Sequence, residues 1–217
     1  MLKKGLAEAL GTFLLVFCGT GACTINEVTN GAVSHVGIAI TFGLVVTALI
    51  YALGNISGAN LNPAVSIALW LGQKIDTITM IAYVTAQVTG AILASTLLHF
   101  LFPTATGLGA TLPAGSHMQS FILEFILTFI LMFVIVRVAL QEVKYQHLAG
   151  IIIGLVVLFE AMFAGPICGA SMNPARSIGP ALISGQVDGL WLYLAAPVFG
   201  AIAGYFTADF LGKEVKK

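Results

Sequence analysis

A twelve-residue string occurs twice in this chain. Ile56-Ser57-Gly58-Ala59-Asn60-Leu61-Asn62-Pro63-Ala64-Val65-Ser66-Ile67 returns 111 residues later as Ile167-Cys168-Gly169-Ala170-Ser171-Met172-Asn173-Pro174-Ala175-Arg176-Ser177-Ile178, with eight positions identical. In each copy an Asn stands where a helix N-cap would, and the Pro after it suits the first helical position, where no backbone donor is missed. The apolar stretches that follow, 63–71 and 174–183, are short. About ten residues at 1.5 Å per residue reach only halfway across some 30 Å of hydrocarbon. Two half-length helices that enter from opposite faces would meet near the midplane with their N-termini at membrane depth, and that leaves few architectures open.

The rest of the sequence is built for a membrane. Hydrophobic residues make up 59% of the 217 and charged residues 8%, against about 25% charged in soluble domains. Six stretches are long enough to span, at about 6–25, 36–54, 77–99, 119–138, 146–164 and 190–211, which leaves no room for a soluble domain. The first begins just after Lys3 and Lys4 but contains Glu8, and more spans follow, so it reads as a retained first helix and not a signal peptide.

The repetition extends beyond the short string. Glu8, Thr12, Phe13 and Phe17 correspond to Glu124, Thr128, Phe129 and Phe133, and Tyr83, Ala86, Val88, Gly90 and Ala91 to Tyr193, Ala196, Val198, Gly200 and Ala201. The expected organisation is a single channel domain over 1–217 with repeats at about 5–100 and 119–212. Three spans per half force the second half to enter from the opposite face, giving an inverted pair. The two short helices then meet N-terminus to N-terminus near the midplane. The stretches leading into them, 54–59 and 165–170, are rich in Gly and poor in helix formers, and are expected to be non-helical, with carbonyls facing a water-filled lumen.

Basic residues set the expected orientation. With both termini cytoplasmic, Lys3, Lys4, Lys74, Arg137, Lys144, Lys213, Lys216 and Lys217 all fall inside and none lies in an external loop. The ninth, Arg176, lies in the second short segment. Zero net charge without a basic cluster argues against nucleic-acid binding. Cys18, Cys23 and Cys168 are odd in number and scattered, which suggests neither disulfides nor a metal site. No cofactor, nucleophile-base set or phosphate loop stands out, so the chain does not read as an enzyme.

Asn62-Pro63-Ala64 and Asn173-Pro174-Ala175-Arg176 resemble the paired motifs of the major intrinsic proteins, or aquaporins. The likeness runs from about Glu8 to the last span, and Gly37-Ile38-Ala39-Ile40, Ala164-Gly165-Pro166 and Gly169-Ala170-Ser171-Met172 look closest to the nodulin-like branch of plants and its microbial relatives. The resemblance implies an all-α membrane protein of six transmembrane helices and two re-entrant half-helices arranged as an inverted repeat. It also implies a multi-pass homotetramer of the cell membrane with one pore per subunit. The central constriction maps to Asn62, Pro63, Ala64, Asn173, Pro174 and Ala175, and the outer selectivity filter to Phe42, Ala161, Ala170 and Arg176. Water and small uncharged solutes are the expected cargo: glycerol, urea, hydrogen peroxide, boric or arsenous acid.

Departures from the family pattern refine this. Asn60 stands where histidine is common, so it cannot titrate. Ala161 stands where strict water channels present histidine, which opens space for solutes larger than water. Ser177 leans the other way, since bacterial glycerol facilitators usually have aspartate there. Glu8 and Glu124 are expected to accept hydrogen bonds from the re-entrant loops; the alternative is a proton-coupled transporter that uses them with Glu160. Glu160, whose repeat counterpart is Leu49, either anchors the loop around Ser171 or tunes the outer mouth. The histidines, His35 among them, lie near span ends, where a solvated or capped role is expected.

Overall fold

The computed structural model describes residues 1–141 and 143–214; Lys216 and Lys217 therefore lie outside the described residues. The order is α1 (Leu2–Val28), α2 (Ser34–Ser57), α3 (Pro63–Leu71), α4 (Thr77–Leu101), α5 (His117–Ile135), a π-helical stretch (Val136–Gln141), a 3-10 stretch (Val143–Leu148), α6 (Ala149–Cys168), α7 (Pro174–Ser184) and α8 (Leu190–Glu214). Six helical segments are long and apolar enough to cross a membrane. Helices α3 and α7 are the two half-length segments, nine and eleven residues long.

Burial follows a membrane protein's logic. Leu44, Phe100, Phe163 and Phe210 point outward and are exposed, whereas Glu8, Gln87 and Glu124 are wholly buried. Lipid accepts the first group without cost, and the second must find partners inside. Close helix crossings bring those partners together. A side chain at Gly90 would sit on the Ala9 carbonyl, and one at Gly200 on the Phe125 carbonyl, so α4 presses on α1 as α8 presses on α5. Gly200 and Gly204 thus serve a contact within the subunit. Gly43 and Gly154 meet similarly where α2 crosses α6.

The lead-in segments differ from expectation. Helix α2 continues through Ser57 and α6 through Cys168, so 54–57 and 165–168 are helical and only 58–62 and 169–173 are irregular. Each helix ends on a left-handed glycine, Gly58 at φ 93° and Gly169 at φ 82°, the usual residue for that conformation. Ile56 and Ile167 in these turns are exposed; at membrane depth the backbone must satisfy its own polar groups, and helical bonding outweighs the weak local preference. Pro166 sits inside the last turns of α6 and cannot donate to the carbonyl four residues back. That carbonyl, Met162 O, instead accepts from His35 Nε2 at 2.7 Å. His35 therefore has a structural duty beyond a solvated span end.

Candidate functional site

The lumen takes shape where the two irregular segments face each other. Asn62 caps α3, its Oδ1 accepting from the Ala64 amide at 2.9 Å. Asn173 caps α7 through the Ala175 and Arg176 amides at 3.0 and 3.3 Å. Capping orients both carboxamides, and their nitrogens cross between the halves: Asn62 Nδ2 donates to Met172 O at 2.7 Å and Asn173 Nδ2 to Leu61 O at 2.8 Å. A primary amide has two N–H groups, so one on each Asn is left for the lumen. The half-helix N-termini that these residues cap add positive potential at the same point, roughly half an elementary charge each.

Holding backbone in this shape is costly. Ala59, Leu61, Ala170 and Met172 all have positive φ, between 42° and 53°, where an L-residue loses roughly 1–2 kcal/mol. Buried carboxylates offset that cost. Glu8 accepts from Ser57 Oγ, Asn60 N, Leu61 N and Gln87 Nε2 at 2.6 to 2.9 Å. Glu124 accepts from Ser171 N and Met172 N at 2.7 and 2.8 Å. The expected loop-supporting geometry is present in both halves. Gln87 is a partner the sequence reading missed; it also reaches Ser66 Oγ at 3.0 Å, and Asn60 Nδ2 donates to the same hydroxyl at 3.2 Å.

Around this centre runs a cavity of about 290 Å³. We call inner the end at which Met1 and Glu214 lie, and outer the opposite one. Along one side the wall is backbone and amide from 57–62 and 170–173; along the other it is aliphatic, including Val46, Leu131 and Val157. Neutral polar solutes suit such a wall, which offers a line of hydrogen-bonding groups opposite a surface that grips nothing.

Phe42, Ala161, Ala170 and Arg176 all line the cavity. Arg176 donates from Nη1 to Gly109 O at 2.6 Å, and its guanidinium carbon lies 5.0 Å from the Phe42 ring centroid, within cation–π range. Gly109 has φ 72°, and a Cβ there would come within 2.8 Å of Thr20 Cβ, so only glycine delivers this carbonyl. The loop carrying Gly109 is pinned by Glu27, which accepts from Thr106 N and Oγ1 and from Gly107 N. Nothing in the local sequence marks Gly109 or Glu27; their role arises only when the loop folds over the outer end.

Ser177 is wholly buried behind the wall, bonded to Ser171 Oγ at 2.6 Å and Thr111 Oγ1 at 2.8 Å. One expectation needs correction. Glu160 is also wholly buried, is absent from the cavity wall, and among the described residues neither of its oxygens has a hydrogen-bond partner. It neither anchors Ser171, which Glu124 holds, nor tunes the mouth. As Glu8 and Glu124 are engaged by the loops, the three carboxylates form no relay along the lumen.

The sequence profile of the major intrinsic protein family matches residues 1–207. This chain belongs to that family. It is similar to aquaporin NIP1-3 of Oryza sativa subsp. japonica, at 49% identity over 93% of this chain and 71% of the relative. Nodulin-26 of Glycine max is 47% identical over 94% of the chain and 75% of the relative. Among solved structures, the aquaglyceroporin from Plasmodium falciparum superposes with a TM-score of 0.86 at 27% identity, covering 99% of this chain and 97% of that one. As a member of the major intrinsic proteins, the chain is a membrane channel for water and small neutral solutes, built on six transmembrane helices and two re-entrant half-helices in inverted repeat.

Proposed function

We propose that this channel passes solutes up to the size of glycerol as well as water, that it excludes protons and ions, and that its outer end is the selectivity filter. The observation that carries the reading is Ala161 on the lumen wall with Phe42, Ala170 and Arg176. A methyl group there leaves the space that a ring would fill. Arg176, held from behind by Gly109, presents hydrogen-bond donors to a hydroxylated solute, and Phe42 offers its carbon skeleton an apolar surface. Urea, hydrogen peroxide, and neutral boric and arsenous acids fit the same description.

Ion exclusion rests on the centre and the filter acting together. A passing water accepts from the free N–H groups of Asn62 and Asn173 and turns its own hydrogens outward, which interrupts a proton wire. The positive half-helix ends and the Arg176 charge repel cations along the same path. Transport is passive and involves no chemical step, so the chain is not an enzyme. The transporter alternative is disfavoured because the carboxylates it needs are bound into the loops.

The same reading treats 1–217 as a single channel domain with repeats at about 5–100 and 119–212, in a cell membrane with both termini cytoplasmic. The helix order supports that orientation, since it puts Lys3, Lys4, Lys74 and Lys213 at the inner end. A homotetramer with one pore per subunit follows from the family resemblance, and the apolar exterior accommodates neighbouring copies or lipid.

Stopped-flow light scattering on proteoliposomes tests the proposal. Vesicles should shrink rapidly in impermeant osmolyte with low activation energy, re-swell in glycerol, and show no proton current. Glycerol influx equal to that of empty vesicles would refute the wide-filter reading, and solute accumulation against a gradient would refute the passive pore.

A further inference from the structure

Phe42 stands against α1 at a point where α1 has no side chain. A Cβ built on Gly19 would lie 2.6 Å from both Cδ1 and Cζ of the Phe42 ring and closer still to Cε1. Ordinary carbon contacts begin near 3.5 Å. The ring therefore occupies the volume that any other residue at position 19 would claim. Its neighbour on another side is the Arg176 guanidinium, itself tied to Gly109, and the ring also borders the lumen.

The repeat provides an internal control. The alignment that pairs Glu8 with Glu124 pairs Gly19 with Ile135, and the 111-residue alignment pairs Phe42 with Ile153. Both isoleucines border the lumen. One half thus places nothing beneath a large ring, and the other places two medium side chains at the mirrored position. Total side-chain volume is similar in the two arrangements, but in the first it belongs to one residue whose position depends on an empty seat.

We infer that Gly19 is a positioning residue for selectivity: it sets how far the Phe42 ring stands back from the lumen, and so the largest solute the outer end admits. This rests on the outer end being the filter. A methyl group at position 19 must move the ring by about 1 Å to restore normal contact. Interior packing leaves no free volume on the α1 side to absorb the shift. The ring goes toward the lumen, across the path between Arg176 and Ala161.

The test compares water and glycerol permeability of Gly19→Ala, Phe42→Leu and the double variant Gly19→Ala/Phe42→Leu in proteoliposomes, normalised to inserted protein. Gly19→Ala should lower the glycerol-to-water ratio about tenfold or more, as is usual when a tight site loses the space of one methylene. The double variant should regain the ratio of Phe42→Leu alone, because leucine clears the methyl. A merely structural glycine would lower both permeabilities together and would not be rescued by changing Phe42. A ratio within twofold of the parent in Gly19→Ala overturns the inference. Should Gly19→Ala fail to insert, the double variant decides: restored insertion with glycerol influx supports the proposal, and continued failure overturns it. If Phe42→Ala also leaves the ratio unchanged, the filter assignment itself is wrong, a result separable from failure of the Gly19 inference alone.

Discussion

The outer and inner ends of this lumen descend from the same repeated positions and have become chemically different. Outside stand Phe42, Ala161, Ala170 and Arg176; the residues that the repeat places at the mirrored inner positions are Ile153, Ile50, Ala59 and Val65, all on the cavity wall. One end has a fixed cation beside a ring and a methyl; at the other the four mirrored side chains form an aliphatic collar, with Lys74 also on the cavity wall. The collar can neither orient a solute nor repel a charge. Duplication supplied the geometry of both ends, and three of the four paired positions, all but Ala170 and Ala59, now differ between them.

The supports beneath the two loops differ as well. Glu8 collects four donors, including Gln87, while the structure gives Glu124 two backbone amides. Gln87 has no equivalent because its repeat position is Pro197. In the second half a hydroxyl chain of Ser171, Ser177 and Thr111 takes over part of that work. Two solutions to the same strained turn therefore coexist in one molecule.

The largest expected effect comes from breaking these supports. Glu8→Ala should lower stability by about 2 to 6 kcal/mol, since two loop amides would be left unsatisfied at about 1 to 3 kcal/mol each, and Ser57 and Gln87 would lose a partner as well. Glu124→Ala should cost less. Thermal unfolding in detergent checks the order, and equal losses would show that the two loops are supported alike.

Copying the inner residue outward comes next. Arg176→Val should keep water flow and raise proton and cation leak by about fivefold or more, because a unit charge at 4 Å changes an ion's barrier by roughly 1 to 4 kcal/mol across the relevant dielectric range. Voltage-driven flux in vesicles reads this out. An unchanged leak would assign ion exclusion to the central Asn pair alone.

The reverse copy should not confer a filter. Ile153→Phe should destabilise by about 1 to 3 kcal/mol through overpacking against Ile135, and the glycerol-to-water ratio should stay as it was. A lowered ratio would mean that the inner collar also discriminates.

Ala161→His should cut glycerol influx about tenfold while water falls far less, because the ring takes up the space that the methyl leaves. Parallel losses of both would point to misfolding.

The smallest effect lies outside the membrane. Asp76 caps α4 by accepting from Thr79 N and Oγ1, and those bonds hold its carboxyl below the usual carboxylate value. A depressed folded value means the cap's contribution is present above the unfolded pKa of about 4 and lost as pH falls through the folded one. Unfolding midpoints of wild type and Asp76→Ala should differ at pH 7 and draw together as pH falls below about 4.

Much of this was legible in the residues themselves. The half-helices at 63–71 and 174–183, the Asn caps and the two buried carboxylates all follow from local chemistry repeated at matching places, and the structure has each of them where the repeat put it. Helix ends were harder to read. Gly54 and Gly165 looked like breakers, yet α2 and α6 run past them, because backbone without water must bond to itself, a cost that a propensity scale measured in water does not contain. Glu160 was misjudged for a related reason: its spacing puts it near functional residues, but spacing does not say which way a side chain faces.

By itself the sequence determined that the chain crosses a membrane, that its halves are inverted copies, and that paired amide-capped half-helices meet between them, since hydropathy, periodicity and capping are properties of neighbouring residues. Only the tertiary structure decided that Gly109 delivers the carbonyl holding Arg176, that His35 satisfies the carbonyl Pro166 leaves open, and that Gly19 makes room for Phe42. Each of those joins residues on different elements, separated by as many as 127 positions. Such contacts depend on how helices cross, which no local pattern encodes.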